Sequence, residues 1–261
     1  MTGIITIRGR GNFSSGHEYL LGPYNPEGKE PGYVAGYEVI KGLKAGGYLS
    51  AKEPEFQVTG KFWMTEQGGK GSIFLELRAL NDFFVEQSLE LNPARKGFSL
   101  AWITLSDKGS KGQRLDESGP LIENICSSTL DISLARGFII PDDYDILKSL
   151  LVHLSLSSGF DLIITTGGTG LSPRDITPEV TMDIIDKRLP GFEQGMLSYS
   201  LTRTPHAMIS RAVAGTLGQS LLINLPGSPK GVRENLGVVL PALEHALTKL
   251  SGDQSDCAVR V

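Results

Sequence analysis

The chain is short of cysteine, of basic excess and of long apolar runs, and each shortage removes a class of function. Its only two cysteines, Cys126 and Cys257, form neither a disulfide framework nor a metal-ligand spacing. A reducing cytoplasm is the expected setting. Lys+Arg 25 against Asp+Glu 29 leaves a net charge of −4, without the cationic surplus that collects phosphates of nucleic acid or an anionic membrane. Neither is expected as a partner. No apolar run reaches the roughly 18–20 residues of a membrane span, and Met1 to Gly11 lacks the apolar heart of a signal peptide. What is there, 40% hydrophobic and 21% charged residues, can bury a core. At 261 residues the chain exceeds one small module, so two domains are expected.

Composition shifts near Asn92 to Gly97. Residues up to Gly97 hold 16 of the 32 glycines and 12 of the 19 aromatics, which marks a turn-rich, β-rich module over 1–96. Gly3 to Arg8, Phe56 to Met64 and Ser72 to Leu80 read as strands; in the last, Phe74, Glu76 and Arg78 share one face and Ile73, Leu75 and Leu77 the other. Over 97–253 short apolar runs alternate with helical patterns. Leu100 to Leu105, Phe138 to Ile140, Asp161 to Thr165 and Ser220 to Leu225 suit strands buried on both faces. Helices are expected after Asp143, where Ile146, Leu147, Leu150, Leu151 and Leu154 form one stripe, over Thr181 to Arg188 with Met182 and Ile185 in the core, and over Pro229 to Leu250. The expected fold is therefore α/β: a mostly parallel sheet with helices on both faces, a three-layer αβα domain preceded by the smaller β-rich one, with a tail over 254–261. Sites in such sheets lie beyond the carboxyl ends of the strands.

Asp116 to Pro120, Asp175 to Pro178 and Asn224 to Pro229 each place a proline where a helix begins. Each start offers amide groups and the positive end of a helix dipole to an anion, or is simply a well-capped helix. Thr165-Thr-Gly-Gly-Thr-Gly170, directly after a strand, offers more amides in a concave loop. It has neither the Walker ending nor the dinucleotide glycine spacing. Asp142 follows one strand and Asp175 lies just past the glycine loop, so both can stand over one sheet edge. Beside phosphates a carboxylate needs a cation, and Mg²⁺ is held by one or two carboxylates with phosphate oxygens and water; the alternative is that both aspartates cap helices.

In order along the chain, Thr104 to Asp107, Asp116 to Pro120, Ile140 to Asp143, Thr166 to Gly170, Pro173 to Glu179, Met208 to Ala212 and Asn224 to Gly227 resemble the molybdopterin adenylyltransferase family of molybdenum-cofactor biosynthesis. The resemblance implies a nucleotidyltransferase that moves AMP from Mg-ATP to the terminal phosphate of molybdopterin and releases pyrophosphate. The competing reading is a non-catalytic pterin- or nucleotide-binding paralogue acting as carrier or assembly partner. By resemblance Asp142 and Asp175 are the catalytic, Mg²⁺-associated carboxylates, and Ser106, Asp116 and Ser118 belong to the nucleotide and pterin pocket. Gly167, Gly168, Thr169 and Gly170 form the phosphate loop, and Ser210, Asn224, Pro226 and Gly227 line the substrate cleft. A homotrimer and hand-over of product to a molybdate-inserting enzyme are implied in the same way.

Overall fold

The computed structural model describes residues 3–65, 69 and 71–253; the expected tail 254–261 and Cys257 lie outside the described residues. Two compact units emerge, Met1–Gly97 with Ser157–Phe160, and Phe98–Leu156 with Asp161–Val261. Ser158 belongs to the first unit through its carbonyl, which accepts from Ala45 N (2.8 Å).

The first unit contains β1 (Ile5–Arg8), β2 (Gly11–Phe13), β3 (Glu18–Leu21), β4 (Gly32–Val34), α1 (Tyr37–Gly42), β5 (Tyr48–Ser50), β6 (Pro54–Thr65), β7 (Gly71–Ala79), β8 (Phe83–Val85) and β9 (Ser88–Ala94). Seven strands form one sheet in the order β3-β7-β6-β5-β9-β1-β4, and β2 pairs with β8. The sheet's two edges meet: the chain leaving β3 bonds to β4 through Tyr24 N to Tyr33 O (2.8 Å) and Tyr33 N to Gly22 O (2.9 Å). Closure removes open edges and encloses a core in which Ile73, Leu75 and Leu77 are buried, while Phe74, Glu76 and Arg78 stay partly exposed. Buried Lys61 donates from Nζ to Ile40 O (3.3 Å), Leu43 O (2.5 Å) and Lys41 O, pinning the end of the one-turn-and-a-half α1. Burial, with Lys44 and Lys41 nearby, lowers its pKa to about 8.

The second unit runs β10 (Phe98–Leu105), α2 (Ser118–Ser127), β11 (Ile132–Ile140), α3 (Tyr144–Val152), β12 (Leu162–Thr166), α4 (Thr177–Ile184), β13 (Lys187–Arg188), α5 (Pro190–Leu201), β14 (Ala214–Leu217), β15 (Ser220–Leu225) and α6 (Pro229–Leu250). The sheet order is β11-β10-β12-β15-β14-β13, with the first four strands parallel and β14 pairing antiparallel to both β15 and β13. Strand alternation assigns the layers. Leu100, Leu162, Ile164, Leu221 and Ile223 pack with Ile122 and Cys126 of α2, Met196 of α5 and the buried side of α6. The opposite face carries Thr165 and Asn224, which bonds to α4, and α3 packs on α4. Helices therefore cover both faces, as the alternating pattern implies.

Three details differ from expectation. The run Phe138 to Ile140, expected to be buried on both faces, is the end of an edge strand that starts at Ile132, and Ile139 is exposed. Helix α4 starts at Thr177 and stops at Ile184, and Lys187–Arg188 is a short edge strand instead, because Asp186 N and Leu189 N bond to Thr216 O (2.7 Å) and Ala214 O (2.8 Å) of β14. Met182, expected in the core, is exposed, as is Ile146 of α3. No described helix is long and apolar enough to cross a membrane.

Candidate active site

Four parallel strands deliver their carboxyl ends to one edge. Leu105 is level with Ile140, Thr104 with Thr166, and Thr166 with Leu225. The loops that follow are thus neighbours: Ser106 and Asp107 after β10, Asp142 after β11, Gly167 to Gly170 after β12, and Pro226 and Gly227 after β15. Hydrogen bonds knit them together. Ser106 N donates to Ile140 O (2.9 Å) and Gly167 N to Leu225 O (3.2 Å); Thr166 Oγ1 donates to Pro226 O (2.8 Å), Thr177 Oγ1 to Gly167 O (2.9 Å) and Ser118 Oγ to Gly227 O (3.0 Å).

Gly167 and Gly168 have φ of +98° and +64°, the left-handed region where a side chain is strained. A Cβ on Gly167 would also stand 2.6 Å from Leu105 O, so the loop's approach to β10 requires glycine. Beyond that point the amides of Gly168, Thr169 and Gly170 have no acceptor among the described residues. Three successive unfilled N–H groups make a nest for an anion.

Two carboxylates flank this nest. Asp142 Oδ1 lies 3.6 Å from where a Cβ on Gly168 would stand, and Asp175 Oδ2 lies 2.8 Å from the corresponding point on Gly170. Neither caps the helix after it. At α3 the cap is Asp143, whose Oδ1 accepts from Ile146 N (3.0 Å), while Asp175 Oδ2 accepts from Ser172 N (2.7 Å) within its own loop. Asp107 joins the cluster: its carboxylate accepts from Asp142 N (3.3 Å) and from the Arg174 guanidinium. Burial pushes the Asp142 carboxyl above its ordinary range, and the charge of Asp107 and, more weakly, Asp175 adds to this; the Asp107 N–H and Arg174 oppose it. A cation among these side chains would relieve the repulsion. Among the described residues no three His, Cys, Asp or Glu side chains form a ready-made metal cage. The donor set fits a hard ion such as Mg²⁺, which takes one or two carboxylates and fills its shell with phosphate oxygens and water.

Beside the loop is a cleft of about 290 Å³, lined by Ser106, Asp116, Ser118 and Gly227 together with Thr104 and Arg114. A Cβ on Gly227 would come within 3.1 Å of Gly167 Cα, so cleft and glycine loop adjoin. Asp116 is already employed: Oδ2 accepts from Thr104 Oγ1 (2.8 Å), and Oδ1 from Ser118 N and Gly119 N (3.0 Å each). At α6, Ser228 likewise accepts from Gly231 N (3.1 Å) with Oγ and from Val232 N (2.9 Å) with its carbonyl. Several helix-start amides expected to serve a ligand therefore serve the protein's own oxygens.

Asn224 requires a correction. Instead of lining the cleft it is fully buried, donating through Nδ2 to Thr165 Oγ1 (2.9 Å) and Thr181 Oγ1 (3.0 Å) while Oδ1 accepts from Val213 N (3.3 Å). Its strand position faces α4, and every polar group of the amide is used there. Ser210 is apart from the cleft as well, lining a separate cavity of about 460 Å³ with Glu193, Met196 and Asn235. Thr169 is buried and its carbonyl accepts from Arg211 N (3.1 Å). Arg211 was not singled out by sequence, yet Nε donates to Gly170 O (2.8 Å), Nη2 to Asp175 O (2.8 Å), and the guanidinium also reaches Glu179. It ties the carboxyl end of the glycine loop, and the Asp175 backbone beyond it, to the segment before β14.

All of these loops fall inside one recognised stretch. Residues 101–245 match the family model described as "Probable molybdopterin binding domain". The chain belongs to that family. Within this molybdopterin-binding family, the chain is 40% identical over 152 residues to a molybdopterin adenylyltransferase of Helicobacter pylori, covering 58% of this chain and 86% of that one. It is 42% identical over 157 residues to gephyrin of Dictyostelium discoideum, covering 56% of this chain and 21% of gephyrin. The solved molybdopterin biosynthesis enzyme MoaB of Thermus thermophilus superimposes with a TM-score of 0.56 at 42% identity, over 60% of this chain and 98% of that one. The chain thus spans most of the bacterial relative and about a fifth of gephyrin.

Proposed function

We propose that the second unit transfers the adenylyl group of ATP to the terminal phosphate of molybdopterin, a step of molybdenum-cofactor biosynthesis. The bacterial relative named molybdopterin adenylyltransferase supports the substrate pair. One observation carries the chemistry: Asp142 and Asp175, from different strand ends, flank a glycine loop with three unfilled amides, and Asp142 is held above its ordinary range by burial and like charge.

An oxygen of the pterin phosphate, already anionic at neutral pH, attacks the α-phosphorus. A new P–O bond forms as the bond to the β-bridging oxygen breaks, and pyrophosphate departs with that oxygen and its electron pair. No side chain has to remove a proton. What the protein must supply is alignment of two polyanions and relief of their repulsion. Asp142 and Asp175 would hold Mg²⁺, which when bound screens phosphate charge and polarises the reacting phosphoryl group. The amides of Gly168, Thr169 and Gly170 donate to phosphate oxygens on which charge develops, Arg211 holds that loop in place, and Arg174 tethers Asp107 beside Asp142. Ser106, Asp116, Ser118 and Gly227 form the floor of the adjoining cleft for the organic part of a substrate.

The purified full chain, given molybdopterin and Mg-ATP, should yield adenylylated molybdopterin and pyrophosphate in equal amounts. Tight molybdopterin binding with no ATP-dependent pyrophosphate would replace this reading with the carrier. A homotrimer that passes its product to a molybdate-inserting enzyme belongs to the same proposal; light scattering of the purified chain tests the first part.

A further inference from the structure

The first unit holds a cavity with no part in the chemistry above. It opens where the sheet closes on itself, at Pro23, Tyr24, Tyr33 and Val34, and its volume is about 470 Å³, within the range of small-ligand pockets. Openings at the rim of a closed sheet are common binding positions.

Its walls are aromatic: Tyr24, Tyr33, Tyr37 and Trp63 all line it. Tyr37 is 55% and Trp63 58% exposed, although rings of this size gain most from burial. Their centroids are 6.4 Å apart at 49°, so the two rings form an open wedge, with the Lys41 ammonium over the Tyr37 ring. Exposed aromatic area of this kind marks a contact site.

The polar groups narrow the choice of ligand. Ser72 is 7% exposed, lines the cavity, and its hydroxyl has no partner among the described residues. Tyr33 is different, since its hydroxyl donates to Ile73 O (2.6 Å) and fixes that wall. Among the described residues no Asp or Glu lines the cavity, and the Lys41 ammonium, itself outside the lining, stands 5.9 Å from the Tyr37 ring centroid. The described lining offers a cationic guest no carboxylate, and the nearby Lys41 charge disfavours it. A flat, neutral or acidic ring meets stacking faces, a hydroxyl at its edge and a favourable charge.

We infer that this cavity binds a planar heteroaromatic ring, a pterin or a purine, stacked on Tyr37 and Trp63 with its polar edge toward the Ser72 hydroxyl. The site lies wholly in the first unit, so it stands independently of adenylyl transfer.

Calorimetric titration of the full chain with neopterin and, separately, with adenosine tests it; neither probe carries the phosphates that the second unit would grip. One of the two should saturate, and which one does names the ring. Tyr37→Ala and Trp63→Leu should each weaken that binding by about tenfold or more, the scale of one lost stacking face. Both substituted side chains are more than half exposed, and unchanged circular dichroism will verify that the fold is retained. Saturation by neither probe, or affinity untouched by Tyr37→Ala and Trp63→Leu, would overturn the assignment.

Discussion

Replacing Asn224 with alanine separates a residue that holds the fold from one that holds substrate. Its amide is 0% exposed and makes three hydrogen bonds, to Thr165 Oγ1 at 2.9 Å, Thr181 Oγ1 at 3.0 Å and from Val213 N at 3.3 Å. Each such bond contributes a net of about 0.5–1.5 kcal/mol, and a buried group left without a partner costs about 1–3 kcal/mol. Alanine removes all three bonds, and the loss should total about 3–5 kcal/mol. A domain of this size loses about 2–4 °C of thermal midpoint per kcal/mol, so the transition should fall by about 10 °C. Differential scanning calorimetry reads that shift, and steady-state kinetics well below the transition should show KM for both substrates within about twofold of wild type. An unmoved transition with KM raised tenfold would refute the reasoning and put the amide back in the cleft.

Three further outcomes follow from the same geometry. Gly167→Ala forces a side chain into φ +98° with its Cβ 2.6 Å from Leu105 O, so thermal denaturation should show a loss of about 2–4 kcal/mol. Arg211→Lys keeps charge but loses the forked bonds to Gly170 O and Asp175 O; turnover should drop about 10- to 100-fold from a misplaced loop, with the thermal midpoint lowered only slightly. Asp142 ionises less readily in the folded protein than in the unfolded chain, so folding binds protons there and stability declines as pH rises through the raised pKa. Metal-free Asp142→Asn should therefore be slightly more stable than wild type at neutral pH, by less than about 1 kcal/mol for a partly solvated group. That advantage should vanish on acidification below the ordinary carboxylate range, and urea titrations at several pH values will check it.

The parallel strands were legible because burial on both faces leaves unbroken apolar runs, as in Ile163 and Ile164 or Leu221 to Ile223. Helix α6 was legible to its ends because Ser228 and Pro229 mark its start and a strong apolar stripe continues to Leu250. Helix α5 was not: Gly191 and Gly195 interrupt it, and Phe192, Met196, Leu197 and Leu201 form no clean stripe. The two-residue strand Lys187–Arg188 exists only through pairing with β14, which no local pattern encodes. At the site, strand grammar brought Asp142, the glycine loop and Asp175 to one edge. The cleft position that the resemblance implied for Asn224 did not hold, because its place on β15 turns the side chain to the core, which a motif match alone does not register. Nor could strand grammar reveal Arg211, whose role arises from bonds to backbone carbonyls distant in sequence.

The most direct test of the central claim, that two carboxylates from separate loops serve one cation and through it one reaction, is single-turnover pyrophosphate release. Wild type, Asp142→Asn, Asp175→Asn and the double variant would be compared at saturating molybdopterin and Mg-ATP. Each single substitution should slow release by about 10³-fold or more while leaving molybdopterin affinity intact, and the double variant should be little worse than the slower single, since both remove the same function. Near-wild-type release from either single variant, or losses that multiply in the double variant as independent sites would, contradicts the account.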